Sequence, residues 1–436
     1  MKEKNSVARE RLSSFFDAAT FVELGAFVRR PGNENENEGV VCGYGAVLGR
    51  LVFAFAQDAS AMKGAMDGRH AEKIAMLYEK AMSVGAPVVG MLDSAGAVVF
   101  DGAAALSGYG VLLDTVASAS GVIPQIAVVH GTCSGTMAAV ASLFDFTVVT
   151  KGASLYVTGE GSADAAYAAG IAALMTEDEQ EAFGSVRTLL SYLPDDNCSA
   201  ADRASTGDDP NRAVALGSRE TAVAALSAVC DGGAFFELYG GVAPEVKAGF
   251  ATLGDVPTAV VAVDGALTLE GVEKLTRAIR FADAYAMPLV TLLNSEGLAA
   301  GNTDVKLAKA LARLARAESE CDTARITVIV GAAVGAGFIF GGSKPLGADV
   351  VFALPDAEIS ALTAKTAVAF LENDRITKDL DRGALEKEWR EKNATVLAAA
   401  SVGEVDDIIT PAELRARIIA ALYMLEGKNG RAPRFL

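Results

Sequence analysis

Two glycine-bearing segments stand where a chain can set backbone donors against a developing negative charge. They are Gly131-Thr132-Cys133-Ser134-Gly135-Thr136-Met137 and Gly331-Ala332-Ala333-Val334-Gly335-Ala336-Gly337. Each follows an apolar run, 126–129 or 326–330, and leads into small residues that suit a helix. Small residues at such a junction let N–H groups face a ligand oxygen, and a helix N-terminus adds partial positive charge. That chemistry suits a carbonyl that becomes an oxyanion during reaction. Tight helix–strand packing also selects Gly and Ala, and for either segment alone packing suffices. Finding both at equivalent positions of a repeat argues for function.

The repeat itself is plain. Gly85-Ala86-Pro87-Val88-Val89-Gly90-Met91-Leu92-Asp93-Ser94-Ala95-Gly96 matches Ala286-Met287-Pro288-Leu289-Val290-Thr291-Leu292-Leu293-Asn294-Ser295-Glu296-Gly297, offset by 288 − 87 = 201. Ile126-Ala127-Val128-Val129-His130-Gly131 matches Ile326-Thr327-Val328-Ile329-Val330-Gly331, and Phe21-Val22-Glu23-Leu24 matches Phe235-Phe236-Glu237-Leu238. Matches in one order with drifting offsets indicate a duplicated domain rather than a short-period solenoid. The segments Asp93–Gly96 and Asn294–Gly297 end the strand before each glycine turn. Ligands of open α/β sheets bind beyond the carboxyl ends of strands. Ser94, Ala95, Gly96, Ser295 and Gly297 are therefore candidate substrate contacts.

The elements that must position these residues follow from periodicity. Residues 40–57 predict a hairpin about Gly49-Arg50, and 31–39 a polar turn or loop. Helical spacing runs over 71–84, with Gly85 as its C-terminal stop, and again over 103–119. Apolar runs at 88–92, 126–129 and 146–150 predict buried strands, and the alternation recurs from 258 onward. Strands alternating with helices imply crossover units and an α/β fold. A charged helix is expected over 374–393. Thr410-Pro411-Ala412-Glu413 should open an amphipathic helix to 427. The uncharged stretch 326–342 approaches membrane-spanning length, but its first-half counterpart carries His130 and polar residues, so it is expected to be strand, turn and helix.

Bulk properties narrow the function. At 436 residues, two domains are expected. A formal charge of −17 argues against nucleic acid as the main partner. Cysteines at 42, 133, 198, 230 and 321 lack metal-ligand spacing and read as reduced cytoplasmic thiols, and the two histidines, His70 and His130, cannot build a His-rich metal site. The charged start has no apolar core of a signal peptide.

Further segments carry a resemblance: Gly39-Val40-Val41-Cys42-Gly43-Tyr44-Gly45, Ala56-Gln57-Asp58, Gly108-Tyr109-Gly110, Gly121-Val122-Ile123-Pro124-Gln125-Ile126, Ser191-Tyr192-Leu193-Pro194, Ile279-Arg280-Phe281-Ala282-Asp283-Ala284-Tyr285, Ala357-Glu358-Ile359 and Val405-Asp406-Asp407-Ile408-Ile409. In their order and coverage, from about Ala8 to the C-terminus, the chain resembles the carboxyltransferase subunits of biotin-dependent acyl-CoA carboxylases and decarboxylases, a double-crotonase family. The resemblance implies two tandem crotonase-like α/β domains. Residues 1–193 would form the acyl-CoA side, 194–214 a polar linker and 215–436 the biotin side.

It also implies carboxyl transfer between biotin and the α-carbon of a short acyl-CoA, without metal or protein nucleophile. One domain would hold the acyl-CoA and the other, from a partner subunit, carboxybiotin. The implied oxyanion donors are Gly135 and Thr136 in the first half and Gly335, Ala336 and Gly337 in the second. Lys63, Arg69 and His70 are candidates for the CoA phosphates, although His70 opening a solvated helix is the plainer reading. Arg9 and Arg11 align with a segment near the CoA adenine, and Lys428, Arg431 and Arg434 add terminal charge. Biotin would come on a separate carrier protein, with a biotin carboxylase or a membrane decarboxylase subunit as further partner. Dimers or trimers of dimers are implied, cytoplasmic or peripheral to a membrane complex.

The chain departs from the family at several places. Ser94-Ala95-Gly96-Ala97-Val98 stands for Ser-Gly-Gly-Ala-Arg, Gly135-Thr136 for Gly-Gly, and Ser295-Glu296-Gly297-Leu298 for Val-Pro-Gly-Phe. Two other readings therefore stand beside the enzyme: a non-catalytic scaffold subunit, and a one-domain hydrolase or isomerase using Asp101 or Asp114.

Overall fold

The computed structural model describes residues 6–30, 33–217, 221–301, 304–377 and 380–428. These divide into two compact units that part between Asp202 and Arg203. The C-terminal Arg431 and Arg434 lie outside the described residues.

In the first unit a hairpin starts the main sheet. Strands Val40–Val47 and Arg50–Gln57 pair antiparallel from Val40↔Gln57 to Val47↔Arg50. Leu48 and Gly49 between them both have positive φ, 53° and 76°, the backbone that closes a two-residue hairpin with the right twist. Asp67 then caps the helix Gly68–Val84 by accepting the His70 N–H at 2.8 Å, a bond of the kind worth about 1 kcal/mol. That helix buries Ile74, Leu77, Tyr78 and Ala81, its i, i+3, i+4, i+7 stripe, and stops at Gly85 with φ 64°.

The chain returns as Val88–Ser94, crosses by helix Ala103–Ala119 to Gln125–Ser134, and enters helix Thr136–Leu143 before Phe146–Thr150. The sheet order is Val22–Leu24, Val40–Val47, Arg50–Gln57, Val88–Ser94, Gln125–Ser134, Phe146–Thr150, Leu174–Thr176, with Ser154–Tyr156 pairing beside the end of Gln125–Ser134. The pairings from Arg50–Gln57 onward are parallel. Covered on both faces, these strands are almost wholly buried, which explains their continuous apolar runs.

The second unit repeats this order with Phe236–Leu238, Val246–Leu253, Val256–Asp264, Leu289–Ser295, Arg325–Val334, Val350–Ala353 and Asp407–Ile408, Glu358–Ser360 pairing beside Arg325–Val334. Its edge strand comes from much further down the chain than its counterpart Leu174–Thr176. Both sheets are mixed and rich in parallel pairs.

Four sequence expectations change or resolve. The polar stretch after Gly32 includes a strand, Asn33–Asn37, paired with Arg29–Arg30, so backbone pairing overrides its weak side-chain propensity. The charged helix begins at Arg382, not 374; Asn373–Arg375 is a separate 3-10 turn. The uncharged stretch 326–342 divides into strand Arg325–Val334 and a short helix Ala336–Ile339, and no helix among the described residues is long and apolar enough to cross a membrane. Thr410 and Glu413 form a reciprocal capping box about the 3-10 turn Pro411–Glu413, which leads into helix Leu414–Leu425.

Candidate active site

Each glycine turn joins a buried strand to a helix, and the two are built alike. Gly135 and Gly335 take φ 64° and 53°, a conformation that L side chains rarely adopt, and reverse the chain into the helix. Their own N–H groups are occupied. Gly135 donates to the Tyr156 carbonyl at 3.0 Å, and Gly335 to the Ser360 carbonyl at 2.9 Å. This corrects the sequence reading of both glycines as oxyanion donors: they shape the turn. The first residues of the helices cannot bond within the helix. The N–H groups of Thr136, Ala336 and Gly337 have no acceptor among the described residues.

A second loop meets each turn. Ser94 is fully buried; its hydroxyl accepts the Gly96 N–H at 3.2 Å and turns back to the Gly96 carbonyl. Ser295 does the same with Gly297 at 3.3 Å. Both serine hydroxyls thus fold the loop internally, each tied to the glycine two residues on. Gly96 and Gly297 carry φ 107° and 121°. A Cβ on Gly96 would lie 3.7 Å from the Ser134 hydroxyl, and one on Gly337 would lie 3.0 Å from the Gly297 nitrogen, so loop and turn are in contact in each unit.

The loop adds a donor that sequence reasoning missed. Ala97 bridges Met66 in parallel: Met66 donates to the Gly96 carbonyl and Val98 to the Met66 carbonyl. The Ala97 N–H between them has no acceptor among the described residues. Leu267 and Leu298 repeat the pattern, leaving the Leu298 N–H equally free. The signal was present as a residue following a positive-φ glycine at matched repeat positions, but side-chain identity hides it.

The basic candidates separate. Lys63 is exposed on a turn pinned by its carbonyl, which accepts the Ala95 N–H at 3.0 Å. Arg69 is exposed with Glu72 3.4 Å away. His70, by contrast, is fully buried, with Nε2 3.3 Å from the Gln57 amide and Nδ1 3.7 Å from Glu38. It is therefore a core residue and not a phosphate ligand, since the helix start it occupies is turned into the sheet. Arg9 and Arg11 are engaged by Glu23 and Glu179, each at 2.8 Å.

Two groups beside the first turn are chemically quiet. Burial pushes the Cys133 thiol up to about 12, with the Asp93 charge adding to it, so it is no nucleophile. Burial, reinforced by the charge of Arg11, lowers His130 to about 3, so the imidazole is neutral throughout the working range. Glu296 is exposed, as are Asp101 and Asp114. What each unit offers is main-chain N–H at the carboxyl end of parallel strands.

The carboxyl transferase domain model matches residues 1–434, and the chain belongs to that family. It is 34% identical to the propionyl-CoA carboxylase carboxyltransferase subunit of Haloferax mediterranei, over 98% of this chain and 91% of the relative. It is also 34% identical to the methylmalonyl-CoA decarboxylase subunit alpha of Veillonella parvula, with the same coverage. Among solved structures it matches transcarboxylase 12S, a hexamer seen with methylmalonyl-coenzyme A and methylmalonic acid bound, with TM-score 0.91, 29% identity and coverage of 98% and 91%.

Proposed function

We propose that this protein is a biotin-dependent acyl-CoA carboxyltransferase, and that its two units are duplicated crotonase-like domains, 1–193 and 215–436 joined by 194–214. The first would serve the acyl-CoA and the second biotin. The observation that carries this reading is the repeated arrangement of free amides: Thr136 with Ala97, and Ala336 and Gly337 with Leu298. The family membership and relatives support the chemistry class.

In the decarboxylating direction the bond between the α-carbon and the carboxyl group of a malonyl-type thioester breaks. Its electron pair moves toward the thioester, whose oxygen gains negative charge. Thr136 and Ala97 donate to that oxygen from a fixed frame, so no side chain need reorganise. The carboxyl group leaves as CO2 and would be taken up by a ureido nitrogen supplied on a separate carrier chain, the N–H proton that this nitrogen gives up passing to the enolate α-carbon. Ala336, Gly337 and Leu298 hold the charge that collects on the ureido oxygen. Lys63 and Arg69, exposed on the segment behind the first loop, are the side chains available to the CoA phosphates. The reverse direction uses the same donors.

A biotin carboxyl carrier, with a biotin carboxylase or membrane decarboxylase subunit, completes the system, and the site takes its two halves from different copies in a dimer or trimer of dimers. The location is cytoplasmic or peripheral to a membrane complex. The test is decarboxylation of malonyl-, methylmalonyl- and glutaconyl-CoA with free biotin as acceptor. Biotin-dependent turnover names the substrate. Absence of turnover, with CoA esters failing to bind, would leave a scaffold subunit.

A further inference from the structure

In each sheet the strand pairing loses register at one step just before the glycine turn. Leu92 faces Val129 and Ser94 faces Cys133, so Asp93 alone stands against His130, Gly131 and Thr132. Leu293 faces Ile329 and Ser295 faces Ala333, so Asn294 alone stands against Val330, Gly331 and Ala332. A bulge of this size takes backbone amides off the ladder, and buried amides need another acceptor.

The side chain of the single residue supplies it. Asp93 Oδ1 accepts the Thr132 N–H at 3.1 Å, and Asn294 Oδ1 accepts the Ala332 N–H at 2.8 Å. The oxygen sits so close to the bulge that a Cβ on Gly131 or Gly331 would lie 2.3 Å from it in either unit. Each acceptor is held from behind by different means. Arg11 Nη1 lies 3.5 Å from Asp93 Oδ2, whereas Asn294 Nδ2 donates to Asp264 Oδ1 at 2.7 Å. One residue is a carboxylate and the other an amide, yet they deliver the same oxygen to the same backbone position. The bulge needs the acceptor, not the charge.

We propose that Asp93 and Asn294 are positioning residues for carboxyl transfer. Each acts through the bulge amide to fix the turn that follows, and through that turn the direction of the free amides at Thr136 and at Ala336 and Gly337. The catalytic part of this inference rests on the function proposed above; the mechanical part does not. Neither side chain touches substrate. Their effect is to keep donors aligned, where a displacement of about 1 Å can cost on the order of 100-fold in rate.

The experiment compares wild type with Asp93→Ala, Asp93→Asn and Asn294→Ala by steady-state decarboxylation with free biotin and by backbone deuterium uptake over 128–137 and 328–338. Asp93→Ala should lower kcat roughly 10- to 100-fold with KM held within about twofold, and raise uptake over 128–137 only. Asp93→Asn, which keeps Oδ1, should recover most of kcat and the wild-type uptake. Asn294→Ala should raise uptake over 328–338 alone, and it carries the test if Asp93→Ala does not fold. Unchanged uptake in either alanine variant, or an Asp93→Asn as impaired as Asp93→Ala, overturns the proposal. A wild type that turns over no CoA ester sinks the proposed function instead, while uptake still decides whether the clamp exists.

Discussion

The N–H of Gly135 points at the carbonyl of Tyr156 from 3.0 Å, and that one bond decides which amide of the turn is free. The glycine is anchored to the neighbouring strand, and the next amide, Thr136, is the first available to a ligand. Thr136→Pro should therefore remove the donor with little damage, because the first helical position tolerates proline. Expected is a loss of about 10²- to 10³-fold in kcat for acyl-CoA decarboxylation, with far-ultraviolet circular dichroism unchanged. Ala336→Pro should spare CoA-ester binding, measured by calorimetry, and abolish transfer to biotin.

Gly131 and Gly331 leave no room for a methyl group, each facing an Oδ1 atom at 2.3 Å from the position a Cβ would take. Alanine at either should cost about 1–3 kcal/mol in urea denaturation. Gly110→Ala is the control. It lies on helix Ala103–Ala119 with nothing within 4 Å of its Cβ position and should gain up to about 1 kcal/mol.

Arg415 is fully buried and lies 2.7 Å from Asp231 and 3.4 Å from Asp208, the latter held near pKa 2 by its hydrogen bond to Arg212. Replacing Arg415 with Met leaves the Asp231 carboxylate buried without its counter-charge. A loss of about 3–5 kcal/mol is expected for the second unit's unfolding transition.

Burial raises Glu318 from 4.5 to about 7, against the opposing charge of Arg325. The folded state therefore keeps a proton that the unfolded chain releases. Stability from this group is complete below pH 4.5 and is lost as pH rises to about 7. Glu318→Gln should match wild type in melting temperature at pH 4.5 and exceed it at pH 8, by the equivalent of roughly 3 kcal/mol. A pH-independent difference would refute this.

The sequence made the scaffold legible because its signals are local. Pro87 and Pro288 mark the same strand starts, the stripe Ile74, Leu77, Ala81 marks a helix, and Gly85 marks its end. The glycine turns were legible as strand-to-helix junctions, but Gly135 and Gly335 were read as donors beside Thr136, Ala336 and Gly337, since only the folded chain reveals that Tyr156 and Ser360 occupy the glycine amides. His70 misled because a helix start is normally solvated, whereas this one is turned inward against Gln57 and Glu38. The bulge opposite Asp93 was invisible, because register depends on pairing between strands that are distant in sequence.

A centre made of main-chain N–H groups has one practical corollary. Alanine scanning, the usual search for essential residues, would pass straight over the donor positions themselves. Thr136→Ala and Leu298→Ala each keep the N–H that the proposed chemistry would use, and Ala97 and Ala336 are already alanine. At those positions only a change to the backbone itself, by proline or by an ester in place of the amide, would make the proposed centre visible to mutagenesis.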